Sequence, residues 1–190
     1  ALAEADLAIV VNPNNPDGRI IPRQALLNLA SALRAKGGLL VVDEAFMDVG
    51  PRAESLAGDV ERGGIVVLRS FGKFYGLAGV RLGFVLGAEV DINTLAATAG
   101  PWPVSGAAIA IGAVALADDA WAAQTANRLA ADGRRMDSLA ARAGWRLAGG
   151  SSLFRLYDTQ DAARAQDRLA RARIWSRIFP YSATWLRLGL

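Results

Sequence analysis

The stretch Ser70-Phe71-Gly72-Lys73-Phe74-Tyr75-Gly76-Leu77-Ala78-Gly79-Val80-Arg81-Leu82-Gly83 holds one of only two lysines in a chain of 190 residues. The other, Lys36, stands between Arg34 and the pair Gly37-Gly38, where a cation caps the carbonyl end of a surface helix. Lys73 instead follows the apolar run Ile65-Val66-Val67-Leu68 and lies among four glycines, which let backbone approach a bound group closely. A lysine desolvated in such a setting loses its proton and attacks a carbonyl to form a Schiff base. Ser70, three residues before it, and Arg81, eight after it, add a hydroxyl and a permanent cation, the combination that holds a phosphate.

Upstream, Leu7-Ala8-Ile9-Val10-Val11 reads as a buried strand that runs into Asn12-Pro13-Asn14-Asn15-Pro16-Asp17-Gly18, a dense cluster of turn formers. Open parallel sheets bind ligands at the carboxyl ends of their strands, so this loop is placed for a ligand as well as for a plain turn. Pro22 suits the first position of a helix, and Leu26, Leu29, Ala30 and Leu33 follow at helical spacing before Gly37-Gly38. Leu39-Leu40-Val41-Val42 is a second strand, ending in Asp43-Glu44-Ala45-Phe46. A carboxylate directly after a buried strand demands a partner, which a cap, an ion pair or a ligand would each supply. Ile65 to Leu68 forms a third strand, and Leu82 to Leu86 a fourth, too close behind it for a helical crossover and therefore antiparallel. This alternation predicts an α/β fold with a mostly parallel sheet flanked by helices.

Downstream, Pro101-Trp102-Pro103 breaks the chain, and Ser105 is the candidate N-cap of a very apolar helix. A long helix is expected from Asp118-Asp119 to about Ala143, weakened at Gly133 by roughly 1 kcal/mol relative to alanine. After Gly149-Gly150 the pattern changes: a half-buried strand over Ser152 to Tyr157, an amphipathic helix over Asp161 to Arg173, and strands over Ile174 to Phe179 and Trp185 to Leu190. Residues 1–117 are thus read as part of a large α/β domain and 118–190 as a small α+β domain. The arginines between Arg164 and Arg173 read as a solvated helix face.

Composition excludes several classes of chemistry. The chain is 53% hydrophobic, which suits packed helices on a sheet. Its 21 basic and 18 acidic residues are spread along the sequence, without the clustering expected of a nucleic-acid-binding protein. With no cysteine and no histidine, disulfides, thiolate or imidazole metal sites, thiol nucleophiles and Ser-His-Asp triads are all excluded, and no metal site is expected. The longest apolar run, about Gly106 to Ala117, is too short for a membrane span and no signal segment opens the chain, so a cytoplasmic protein is expected.

The pattern S-x-x-K-x-x-G-L-A-G-x-R-x-G over Ser70 to Gly83, with N-P-N-N-P-x-G over Asn12 to Gly18, resembles the pyridoxal-phosphate enzymes of the aspartate aminotransferase fold. The resemblance implies pyridoxal 5'-phosphate as cofactor, bound covalently by Lys73. It further implies Ser70 and Arg81 at the cofactor phosphate, Asp43 paired with the protonated ring nitrogen and Asn15 hydrogen-bonded to the ring oxygen. Asn15, Asp43 and Lys73 are then expected to meet at the strand ends. The closing run I-W-S-R-I-F…W-L-R-L-G-L resembles the family's C-terminal strand pair, which makes Arg187 the clamp for a substrate carboxylate and turns Arg177 toward a substrate phosphate or carboxylate.

Within that group, D-E-A-F-M-D with Phe46 is most similar to the L-threonine-O-3-phosphate decarboxylases, which make aminopropanol phosphate for the cobalamin side chain. Histidinol-phosphate aminotransferases share most of the motifs but usually carry tyrosine at the position of Phe46, and remain the alternative. A phosphorylated amino-acid substrate and a homodimer are implied in either case. Family members are roughly twice as long and supply a glycine-rich turn and a stacking aromatic ring from the preceding half, so this chain is expected to be a fragment that is inactive alone. A non-catalytic interaction module of the same fold is the reading from another class.

Overall fold

The computed structural model describes residues 5–190, which divide into two compact units, one comprising the chain up to Pro13 with Ile20–Asp118, the other Asn14–Arg19 with Asp119–Leu190.

In the first unit, strands β1 (Leu7–Val11), β2 (Leu39–Asp43) and β3 (Ile65–Ser70) pair in parallel and in that order, and β4 (Gly83–Leu86) closes the sheet antiparallel to β3. Helix α1 (Arg23–Arg34) crosses between β1 and β2, burying Leu26, Ala30 and Leu33, the stripe that its spacing predicts. Those residues join Leu40, Val42, Leu56, Val60, Ile65 and Val67 in one core. Burying a side chain of this kind contributes about 1.5–3 kcal/mol. The short connection after β3 leaves no room for a crossover, which is why β4 reverses direction. Two helices follow, α2 (Glu89–Ala99) and α3 (Gly106–Leu116), the latter capped by Ser105, whose Oγ accepts from Ala108 N at 3.2 Å. Helix α2 was not legible in sequence because it has no side-chain cap and buries no residue, hence no apolar stripe.

In the second unit, α4 (Asp119–Arg142) leads to a four-stranded antiparallel sheet ordered β5-β6-β8-β7, made of β5 (Arg146–Ser151), β6 (Phe154–Asp158), β7 (Arg177–Phe179) and β8 (Ser182–Gly189). Helix α5 (Ala162–Arg171) starts at Asp161, which accepts from Arg164 N at 2.9 Å, and packs Ala162 and Ala165 against Leu186. One strand here was not expected from sequence, and one expectation is corrected. Strand β5, through Ala148-Gly149-Gly150, has weak β propensity and carries a register shift between Leu147 and Gly149, so its pattern gave no signal. The strand expected from Ile174 is confined to Arg177–Phe179, because Arg173 turns into the left-handed region at φ 63° and Ile174 and Trp175 lie exposed.

Among the described residues no single helix is long and apolar enough to cross a membrane.

Candidate active site

The carboxyl ends of β2 and β3 gather four of the polar side chains singled out in sequence. Asp43 closes β2, in register with Val11 on β1 and Leu68 on β3. Ser70 closes β3 and pairs with Gly83, two residues beyond Arg81. Lys73 lies in the turn between. The three groups Ser70, Lys73 and Arg81 therefore belong to one strand–turn–strand segment, and Asp43 to the neighbouring strand end.

Local packing fixes that turn. Phe71 is buried and stacks on Tyr75 with ring centroids 4.5 Å apart, while Ser70 Oγ accepts from Gly72 N at 3.3 Å. Gly72 lies so close to the returning chain that a Cβ there would sit 3.0 Å from Ala78 Cα. Arg81 adopts the left-handed conformation at φ 58°, and its Nη1 donates to Ala78 O at 3.1 Å. The Lys73 ammonium lies 5.7 Å over the Phe46 ring. The desolvated lysine expected from sequence is corrected for these residues: Lys73 is exposed, with the Phe46 ring beside its ammonium. Asp43 spends one oxygen locally, accepting from Ala45 N at 3.0 Å, so the turn-capping role left open in sequence is real and leaves the second oxygen for another partner.

Behind this edge lies a buried cluster that sequence reasoning passed over. Glu44 is 0% exposed and accepts from Ser55 Oγ at 2.6 Å, Leu56 N at 2.8 Å and Arg69 Nη1 at 3.4 Å, and Arg69 also donates to Asp48. Asn12, also fully buried, accepts from Ile21 N at 2.8 Å and donates to Ile21 O at 3.3 Å. The available signal was position: each follows or ends an apolar strand, where an unpaired polar group would be costly.

In the second unit the structure places Asn15, Arg177 and Arg187. Asn15 is exposed, and its Oδ1 accepts from Arg187 Nη1 at 2.5 Å. Both Asn12–Pro13 and Asn15–Pro16 are cis peptides. The loop is fastened by backbone: Gly150 N donates to Asp17 O at 2.7 Å, and a Cβ on Gly149 or Gly18 would lie 2.2 Å from Asp17 O or 1.9 Å from Gly150 O. Arg187 on β8 is the register partner of Arg177 on β7, and each guanidinium sits 5.4 Å over a ring, Phe154 and Phe179 respectively. Burial, followed by the charge of Arg177, lowers the Arg187 pKa from its ordinary value. Two cations facing each other across strands are unfavourable without an anion, so this pair is a candidate anion clamp. No group of three or more metal-ligating side chains occurs among the described residues.

A family model described as aminotransferase class I and II matches residues 2–190. The chain belongs to that family. Two curated relatives match along its length: a threonine-phosphate decarboxylase of Pseudomonas aeruginosa, 48% identical over 100% of the chain, and one of a Sinorhizobium species, 46% over 99%. The chain covers 56% of each, so it spans just over half the length of these relatives. A histidinol-phosphate aminotransferase of Salmonella paratyphi A is 39% identical over 58% of the chain and 30% of the relative. Among solved structures, the histidinol-phosphate aminotransferase of Sinorhizobium meliloti in complex with pyridoxal-5'-phosphate superposes with a TM-score of 0.88 at 26% identity, over 97% of this chain and 52% of that one. The L-threonine-O-3-phosphate decarboxylase of Porphyromonas gingivalis gives 0.83 at 21%, over 100% and 61%. The class I and II aminotransferase fold expected from the lysine segment is therefore the fold of this chain.

Proposed function

We propose that the intact protein uses pyridoxal phosphate to decarboxylate L-threonine O-3-phosphate, giving aminopropanol phosphate and carbon dioxide, a product used for the cobalamin side chain. The observation that carries this reading is the reach of the likeness. The threonine-phosphate decarboxylases match the chain from end to end, whereas the histidinol-phosphate aminotransferase matches little more than half of it.

The donor set in the first unit fits the cofactor. Lys73 offers an amine for the aldehyde, Ser70 and Arg81 a hydroxyl and a guanidinium for the phosphate, and Asp43 a free carboxylate oxygen for the ring nitrogen. Asn15 offers its amide to the ring oxygen, since its Oδ1 is engaged by Arg187. Bound there, pyridoxal phosphate supplies an electron sink next to the substrate's Cα. The remaining work falls to side chains. Arg187 and Arg177 hold the anionic groups of the substrate, and binding energy from the phosphate fixes the orientation of Cα. Lys73 Nζ delivers a proton to Cα after the carboxylate departs.

A histidinol-phosphate aminotransferase is the second reading, favoured by the higher TM-score to the Sinorhizobium meliloti enzyme. Backbone likeness weighs less here, because both activities share the fold. The same reading includes a cytoplasmic homodimer. Helix α3 is apolar all round and leaves Ile109 59% and Val114 75% exposed, a surface suited to burial by another subunit or by further chain.

The deciding experiment gives the intact enzyme both substrates. Carbon dioxide and aminopropanol phosphate are expected from threonine phosphate. Turnover of histidinol phosphate that requires 2-oxoglutarate and releases no carbon dioxide would overturn the decarboxylase reading, and failure to take up the cofactor would favour a non-catalytic module.

A further inference from the structure

We propose that Arg69 is a positioning residue: by pairing with Glu44 and Asp48 on one face of the first sheet, it sets the spacing of Asp43 and Ser70 on the opposite face. The inference rests on the reading of Asp43 and Ser70 as cofactor ligands.

Strand alternation supplies the first step. Successive side chains point to opposite faces, so Val42 and Glu44 share one face of β2, and Val67 and Arg69 the same face of β3. That is the core face: Val42 and Val67 belong to the hydrophobic cluster with Leu56, whose N–H donates to Glu44. Asp43, its register partner Leu68 and Ser70 lie on the other face. Glu44 immediately follows Asp43, and Arg69 immediately precedes Ser70. The Glu44–Arg69 contact at 3.4 Å thus ties together, from behind, the two strand ends that carry the candidate ligands.

Charge and burial supply the second. Glu44 is 0%, Asp48 16% and Arg69 24% exposed, so two carboxylates share one largely buried cation. The guanidinium fork reaches both at once, Nη1 to Glu44 and Nη2 to Asp48, which a point-charge ammonium does with less geometric definition. Without the cation, the buried Glu44 and the partly buried Asp48 would lose their shared counter-charge, and the ends of β2 and β3 would separate or one carboxylate would take up a proton. Glu44 is further anchored by Ser55 Oγ and Leu56 N, and its own N–H donates to Leu68 O at 2.9 Å, so the brace is rigid at its β2 end. Arg69 is therefore the adjustable member.

The test uses the intact protein and measures dissociation constants for pyridoxal phosphate and for pyridoxal, which lacks the phosphate, beside thermal unfolding and circular dichroism. Arg69→Met is expected to weaken pyridoxal phosphate binding at least tenfold and to reduce its advantage over pyridoxal, since Ser70 is displaced. Arg69→Lys should recover part of that loss. The triple variant Arg69→Met, Glu44→Gln, Asp48→Asn should fold without buried net charge and still show the reduced preference for the phosphate. A merely structural role would lower the unfolding temperature and leave the affinity ratio of the folded protein unchanged, which would overturn the proposal. If Arg69→Met does not fold, the lysine and triple variants decide by the same ratio. Failure of the unmodified protein to bind pyridoxal phosphate would overturn the cofactor reading itself, a separate outcome from an unchanged ratio.

Discussion

Arg187 Nη1 donates a hydrogen bond to Asn15 Oδ1 at 2.5 Å, joining residues 172 positions apart in sequence. The bond settles which way the Asn15 amide is used: its oxygen faces the guanidinium and its NH₂ group is left to donate elsewhere. The bond is exposed to solvent, where a hydrogen bond contributes about 0.5–1.5 kcal/mol, so Asn15→Ala is expected to free Arg187 and raise the substrate KM of the intact enzyme about threefold to tenfold. Arg187→Lys, which cannot present a fork, should raise KM at least as far. Steady-state kinetics check both, and an unchanged KM in the two variants would remove Arg187 from the substrate site.

Lys73→Ala should abolish the visible absorption band of the intact protein loaded with pyridoxal phosphate, and Lys73→Arg should not restore it. The reason is chemical: the band reports the covalent bond to the Lys73 amine, and Lys36, the other lysine of these 190 residues, sits in the turn after α1. A band that persists in Lys73→Ala would show that the covalent attachment lies elsewhere.

Gly18 and Gly149 should tolerate no side chain. A Cβ would lie 1.9 Å from Gly150 O or 2.2 Å from Asp17 O, against backbone that cannot swing aside, and Gly18 also has φ +68°. Overpacking costs typically about 1–3 kcal/mol, and the left-handed conformation adds about 1 more at Gly18. Gly58→Ala, with nothing within 4 Å of the added atom, should change stability by less than about 0.5 kcal/mol. Urea midpoints of the three variants check the contrast.

Tyr157 is fully buried and its hydroxyl donates to Asp137 at 2.7 Å. Burial, then the Asp137 hydrogen bond and charge, raise its pKa. A group whose folded pKa is raised contributes stability that is whole below its unfolded pKa and is lost as pH rises, here from about 10 upward. Tyr157→Phe should be less stable than the unmodified protein at neutral pH by about 1.5–3 kcal/mol and should lose less on going to high pH. Urea midpoints from pH 8 to 11 check this, and parallel curves would contradict it.

What the amino-acid sequence determined is the local and periodic part of this protein. The apolar runs at Leu7, Leu39 and Ile65, the stripe Leu26, Ala30, Leu33 and the short link before β4 are set by period and connection length, which act over a few residues. The spacing of Ser70, Lys73 and Arg81 is equally local, because one continuous strand–turn–strand segment carries all three. Gly133 shows the limit of local reasoning. By propensity it weakens α4, yet a Cβ there would lie 2.6 Å from Arg155 Nη2, so the glycine makes room for the Arg155–Asp137 pair. Only the tertiary structure decided that Glu44, Arg69 and Asp48 share one buried cluster, that Asn15 touches Arg187, and that Asn14–Arg19 belongs with the second unit. Each is a contact between residues distant in sequence, selected by burial and by the need of a desolvated polar group for a partner, and no local pattern encodes that choice.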